Sequence, residues 1–155
     1  MYLAQLNIAH AKYDVDGPEL KDFNDRIDEI NALAESQSGF IWRLKDESGN
    51  ATSIDFFDDP RMIVNMSVWK DQESLKAFVF ETAHLEVLKR KKEWFANIKK
   101  SHQVMWWIPE DMDGMPTLTE AQARLEQLRE HGETPLAFTF RSRYSAEDAL
   151  NNRFC

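Results

Sequence analysis

Cysteine is almost absent: Cys155 is the only one among 155 residues, so no disulfide can form within the chain, and the sequence reads as cytoplasmic, with Cys155 a spectator rather than a nucleophile. Five glycines and five prolines are too few for collagenous or low-complexity sequence. No apolar run approaches the roughly 18 residues that a membrane helix needs, and mean hydropathy is −0.57. The opening MYLAQLNIAHAKYD has neither the basic start nor the long apolar core of a signal peptide. Positive charge is also short: 19 Lys and Arg stand against 27 Asp and Glu, a net −8, which repels phosphate backbones and anionic bilayers. These absences leave a soluble globular protein for which neither nucleic acid nor membrane is an expected partner. No GxGxxG, P-loop, GxSxG, HExxH or CxxC occurs, so dinucleotide binding, ATP hydrolysis, the serine-hydrolase elbow and common zinc sites lack support. His10, His84, His102 and His131 fall on different predicted elements, and no metal site is expected.

What the chain does have is aromatic side chains: five Trp, ten Phe and three Tyr. They suit a core, a small-molecule pocket or an interface. The length suits one domain over 1–155. Residues 2–9 alternate Leu3, Gln5, Asn7 with Ala4, Leu6, Ile8, the period of a strand. Leu20, Phe23, Ile27, Ile30 and Leu33 recur at helical spacing behind Pro18. GFIWRLKD predicts a second strand, ESGNATSIDFFDDPRM an exposed connection, and residues 63–69 a third strand. From the N-cap candidate Asp71 a long helix is expected to about Ile98, with a break near Thr82. Residues 102–109 predict a fourth strand, followed by the turn-like EDMDGMP and a helix from Thr117 to Gly132. The tail adds either a strand at 138–140 or an irregular segment.

The order β-α-β-β-α-β with an appended helix and tail is that of a ferredoxin-like α+β sandwich with split β-α-β connections, its core in 2–109 and its additions in 116–155. Both faces of strands one, three and four carry large apolar groups, so the face away from the two helices needs cover. A second copy is the simplest cover.

His84 is the foremost candidate for chemistry. On an amphipathic helix after Phe78 and Phe80 it suits a general base or an axial ligand, or equally a structural histidine bonded to a backbone carbonyl. Gln5, Asn7, Asn65 and Ser67 lie on strands that this topology makes neighbours; on one face they offer donors and acceptors to a small ligand, or satisfy one another. Trp42, Trp69 and Trp94 suit pocket walls or core. Arg43 suits a substrate carboxylate or an ion pair. The run Lys89–Lys92 is either an anion patch or a solvated helix face.

LAQLNIA, FIWRL, NMSVWKDQESLKAFVFETAHLEVLKRKKEWF and VMWWIP resemble the DUF3291 family, which belongs among the dimeric α-β barrels with the antibiotic-biosynthesis monooxygenases. The resemblance runs from about residue 2 to about residue 140. It implies a homodimer whose paired sheets close a barrel. It brings no known reaction of its own. The candidate residues, taken with the cofactor-independent oxygenases of the wider superfamily, lead to the expectation of a cofactor-independent, monooxygenase-like or isomerase-like enzyme acting on a small flat organic molecule, with His84 as base, Asn7 and Asn65 orienting the substrate, and Ser67, Trp69, Phe78, Trp42, Arg43 and Trp94 around it. A more distant similarity is to haem-degrading monooxygenases, with Asn7 and His84 at matching positions. There the tryptophan position is held by Phe78, and the Trp69-to-His84 spacing is shorter, so haem with His84 as ligand stands as the alternative. A non-catalytic binding module is the other.

Overall fold

The computed structural model describes residues 1–45, 61–82, 84–96, 100–110, 115–142 and 144–152. The chain order is β1 (Tyr2–His10), a 3-10 turn (Pro18–Leu20), α1 (Lys21–Glu35), β2 (Phe40–Arg43), β3 (Met62–Trp69), α2 (Gln72–Glu81), α3 (His84–Lys89), α4 (Lys91–Trp94), β4 (Gln103–Ile108), α5 (Leu118–His131) and α6 (Ala146–Asn152). The four strands form one sheet in the order β2-β3-β1-β4, all pairs antiparallel. That order is the ferredoxin-like arrangement expected from the sequence. Most of the expected connection 47–62, part of the turn 110–116, and Cys155 lie outside the described residues. Among the described residues no helix is long and apolar enough to cross a membrane, and no group of three or more His, Cys, Asp or Glu is placed to hold a metal ion.

Strand alternation sends side chains to two faces with different cover. Ala4, Leu6 and Ile8 of β1 join Val64, Met66, Val68, Val104, Trp106 and Ile108 in a cluster with Ala121, Leu125 and Leu128 of α5. The opposite face carries Leu3, Trp69 and Met105, which pack with Ala34 of α1 and with Leu75 and Phe78 of α2. A third cluster at the far end joins Leu20, Phe23, Ile63 and Trp94.

The face that the sequence left in need of a second copy is therefore covered, over β4 and β1, by the chain's own α5. Local signals define that helix: the Thr117 side chain accepts from the Glu120 N–H at 3.1 Å, and Gly132 ends it at φ +75°, a conformation that costs glycine little. Each leucine α5 buries contributes about 1.5–3 kcal/mol. Among the described residues, the half-buried apolar groups against this cluster include Tyr2 and, toward β2 and β3, Ile41, Trp42, Leu44 and Met62.

Among the described residues the tail adds no strand beside β4. Instead Phe138 exchanges both backbone hydrogen bonds with Met105, at 2.7 and 3.0 Å, as an isolated bridge, and its ring is fully buried among Trp69, Phe78 and Met105. The Tyr144 carbonyl then accepts from Gln72 Nε2 and Trp107 Nε1, each at 3.0 Å. At the other end of the sheet β2 begins after Gly39, where a Cβ would lie on the Ser74 side chain of α2. The first turn of α2 thus rests against bare backbone.

Candidate functional site

The expected helix break is present, and it places His84. Asp71 caps α2 by accepting from the Ser74 N–H at 2.8 Å, and Thr82 ends it with an extended backbone. The last carbonyls of such a helix need other donors. Thr82 Oγ1 donates to the Phe78 carbonyl at 2.5 Å and accepts from the His84 N–H at 3.3 Å. The Val79 carbonyl takes His84 Nδ1 at 3.3 Å. A carbonyl only accepts, so Nδ1 carries the hydrogen and the Nε2 lone pair is left free; among the described residues Nε2 has no partner. Burial lowers the His84 pKa, and the Val79 bond opposes that shift only in part, so the neutral form is favoured near neutral pH. The bond to Val79 is the structural contact expected of a helix-holding histidine, and the same bond fixes the tautomer that a base needs.

Aromatic rings connect His84 to the sheet. Its ring lies tilted over Phe78 with centroids 5.0 Å apart, and Phe78 stacks on Trp69 at 5.2 Å and 25°. From Trp69 the sheet continues in polar groups. Trp69 Nε1 donates to Ser67 Oγ at 2.8 Å, Gln5 Nε2 donates to the same oxygen at 2.8 Å and to Asn65 Oδ1 at 2.7 Å. The register explains the proximity: Gln5 faces Ser67, and Asn7 faces Asn65 on one side and Gln103 on the other. Facing pairs on antiparallel strands hold their Cβ atoms about 4.5–5.5 Å apart. Asn7 and Asn65 are exposed although they sit mid-strand on the helix-covered face, so the helices leave this row of amides open.

Of the residues singled out in the sequence, Asn7, Asn65, Ser67, Trp69, Phe78 and His84 thus form one continuous set along a strand face and the adjoining ring stack. Trp42, Arg43 and Trp94 are not part of it. Trp42 faces Val68 across the β2–β3 pair and joins the α5-side cluster. Arg43 donates to Glu35 Oε1 at 2.7 Å, and this bond lowers the Glu35 pKa against the opposing effect of burial. Trp42 and Arg43 instead line an open groove of about 460 Å³ with Glu35, Phe40, Ile41, Leu44 and Lys45. Trp94 is core, tilted against Phe23 at 5.5 Å. Arg90 stacks over it, 4.6 Å from the ring centroid, and pairs with Glu93 and Asp22, which takes the central cation out of the basic run. Gln103 was missed, although alternation in QVMWWI places it on the face of Met105 and Trp107. Phe138 and Tyr144 carried no periodic signal.

No functionally curated protein matches the chain in sequence. Among solved structures, a conserved protein from Methanosarcina mazei Go1 is similar at 14% identity over 70% of this chain and 94% of that one, with a TM-score of 0.52. An antibiotic-biosynthesis-monooxygenase candidate from Nitrosomonas europaea is similar at 18% identity over 71% and 92%, with a TM-score of 0.51. SnoaB, a cofactor-independent oxygenase from Streptomyces nogalater, aligns at 13% identity over 73% and 98%, with a TM-score of 0.48. At such identities the first two similarities establish the fold. The family model described as a domain of unknown function, DUF3291, matches residues 2–154: the chain belongs to the DUF3291 family.

Proposed function

We propose that this protein is an enzyme that removes a proton from a small, flat organic molecule held against the helix-covered face of the sheet. The observation that carries the reading is His84, half-buried, with Nδ1 committed to the Val79 carbonyl and Nε2 without a partner among the described residues. Nε2 takes the proton and the electron pair stays on the substrate, delocalised onto a carbonyl oxygen. The exposed amides of Asn7 and Asn65 donate to that oxygen. Return of the proton to another carbon completes an isomerisation. Reaction of the carbanion with dioxygen, converting CH₂ to C=O with release of water, completes a monooxygenation without a protein-bound cofactor. The fold shared with the Nitrosomonas europaea monooxygenase candidate supports the second course.

Deuterium exchange into 2-tetralone, an enolisable bicyclic ketone, tests the proton step without a known substrate. Wild type is expected to accelerate exchange, and His84→Gln to lose about 10²-fold or more of that acceleration. Equal exchange in the two proteins overturns the reading, and it favours a non-catalytic binding module.

The same geometry supports one other reading. An imidazole held through Nδ1 by a carbonyl, with Nε2 open, is the arrangement of a haem or metal ligand, and haem bound there would supply its own oxygen chemistry. Titration with haemin reads this directly: a Soret shift present in wild type and absent in His84→Ala supports it, and no shift in wild type removes it. Pairing with a second copy belongs to the same proposal, through a surface that includes the half-buried Ile41, Trp42, Leu44 and Met62. Sedimentation equilibrium distinguishes the 18.1 kDa chain from its dimer.

A further inference from the structure

A donor role for Asn65 requires its amide to face the ligand with nitrogen outward, and the groups behind it determine which way it faces. The indole N–H of Trp69 can only donate, and it does so to Ser67 Oγ. Gln5 gives both hydrogens of its amide to this row, one to Ser67 Oγ and one to Asn65 Oδ1. With Oδ1 held at 2.7 Å, the Asn65 Nδ2 group is turned away from Gln5, and nothing among the described residues accepts from it. The row runs from buried to open: Trp69 is 1%, Gln5 5% and Ser67 7% exposed, whereas Asn65 is an exposed residue. Asn7, its neighbour across the strands, has no such holder among the described residues. An asparagine free to turn about its terminal torsion presents oxygen or nitrogen alike.

Resting on the reading of the site given above, we propose that Gln5 is a positioning residue: it fixes Asn65 as a hydrogen-bond donor, so the site selects ligands presenting an accepting oxygen, carbonyl or oxyanion, over the β1–β3 boundary. A donor fixed before the ligand arrives needs no reorganisation when negative charge develops. Ser67 acts one step further back by holding Gln5, and Trp69 one step beyond that by holding Ser67.

The test uses the full chain and 4-nitrophenol, whose phenolate absorbs visibly. Binding to wild type, followed by tryptophan quenching, is expected to lower the pH at which the bound probe ionises relative to free probe. Gln5→Met matches the side chain in length but cannot donate. It is expected to keep the probe bound while raising that midpoint by about one pH unit, a tenfold change in ionisation constant. Ser67→Ala shifts it in the same direction by less, and serves if Gln5→Met does not fold. A bound probe with an unchanged midpoint in both variants overturns the positioning role and leaves the site reading standing. A wild type that neither binds the probe nor exchanges 2-tetralone overturns the site reading. Proton NMR then judges the ladder by itself: the Gln5 side-chain amide should exchange at least about tenfold more slowly than that of Asn7, and equal rates overturn the arrangement.

Discussion

The two faces of one sheet obey different rules, although adjacent residues of the same strands build both. Toward α5, β1 contributes Ala4, Leu6 and Ile8, and their neighbours on β3 and β4 are apolar without exception. Toward α1 and α2, the same strand contributes Leu3, Gln5 and Asn7, and the polar groups pair across to Ser67 and Asn65. Gln5, buried in mid-sheet, loses water and must find partners, and it weakens a sheet that valine or leucine would hold better. Polar groups on one face alone separate the surface that stabilises the fold from the surface proposed to meet a ligand.

The sharpest way to break the comparison is on the sealed face. Trp106 is fully buried there, and Trp106→Ala should cost about 3–5 kcal/mol in urea unfolding. Its Nε1 has no hydrogen-bond partner among the described residues, so Trp106→Phe, which removes that N–H, should cost clearly less. Next comes Ser67→Ala on the other face, which leaves the Trp69 N–H and one Gln5 N–H without an acceptor; about 1–3 kcal/mol is expected by the same measurement. Equal costs for Trp106→Ala and Ser67→Ala would erase the distinction between the faces.

A smaller effect distinguishes the faces by pH. Burial lowers the folded-state pKa of His84, so the unfolded chain, with an ordinary value of about 6.5, binds the proton more readily. The stability tied to neutral His84 is therefore complete above about pH 6.5 and declines as pH falls through the folded-state value. Thermal melts should lose that part of their acid sensitivity in His84→Gln, while imidazole carbon shifts place the titration below the ordinary range. Least affected should be Asn7→Ala, whose exposed amide has no partner among the described residues. Its stability should stay within about 0.5 kcal/mol of wild type, while exchange of 2-tetralone falls.

Much of this was legible in the sequence, for physical reasons that also mark where legibility ends. Alternation in YLAQLNIA and NMSVW put Gln5, Asn7, Asn65 and Ser67 on definite faces, and the β-α-β-β-α-β order made β1 and β3 neighbours. Register alone then brought the amides together. The break expected near Thr82 is present, and its hydroxyl, which competes for backbone groups, caps the Phe78 carbonyl there. What failed to read was cover. The helical period of TLTEAQARLEQLREHG gives α5 an apolar stripe but not its address, so a face with a helix waiting farther along the chain looked bare. Which face Trp42 takes could not be counted along the strand for a related reason: the irregular register between Phe40 and Trp42 breaks the parity by which faces alternate.

Gly39 carries a mechanical consequence. A methyl group at that position would occupy the space of Ser74, and Ser74 lies in the first turn of the helix that carries Phe78, ends at Thr82 and has the imidazole beyond it. The clearance left by one missing carbon acts as a bearing surface for a lever, so a substitution at Gly39 would be felt at its far end, near His84, as a change of aim.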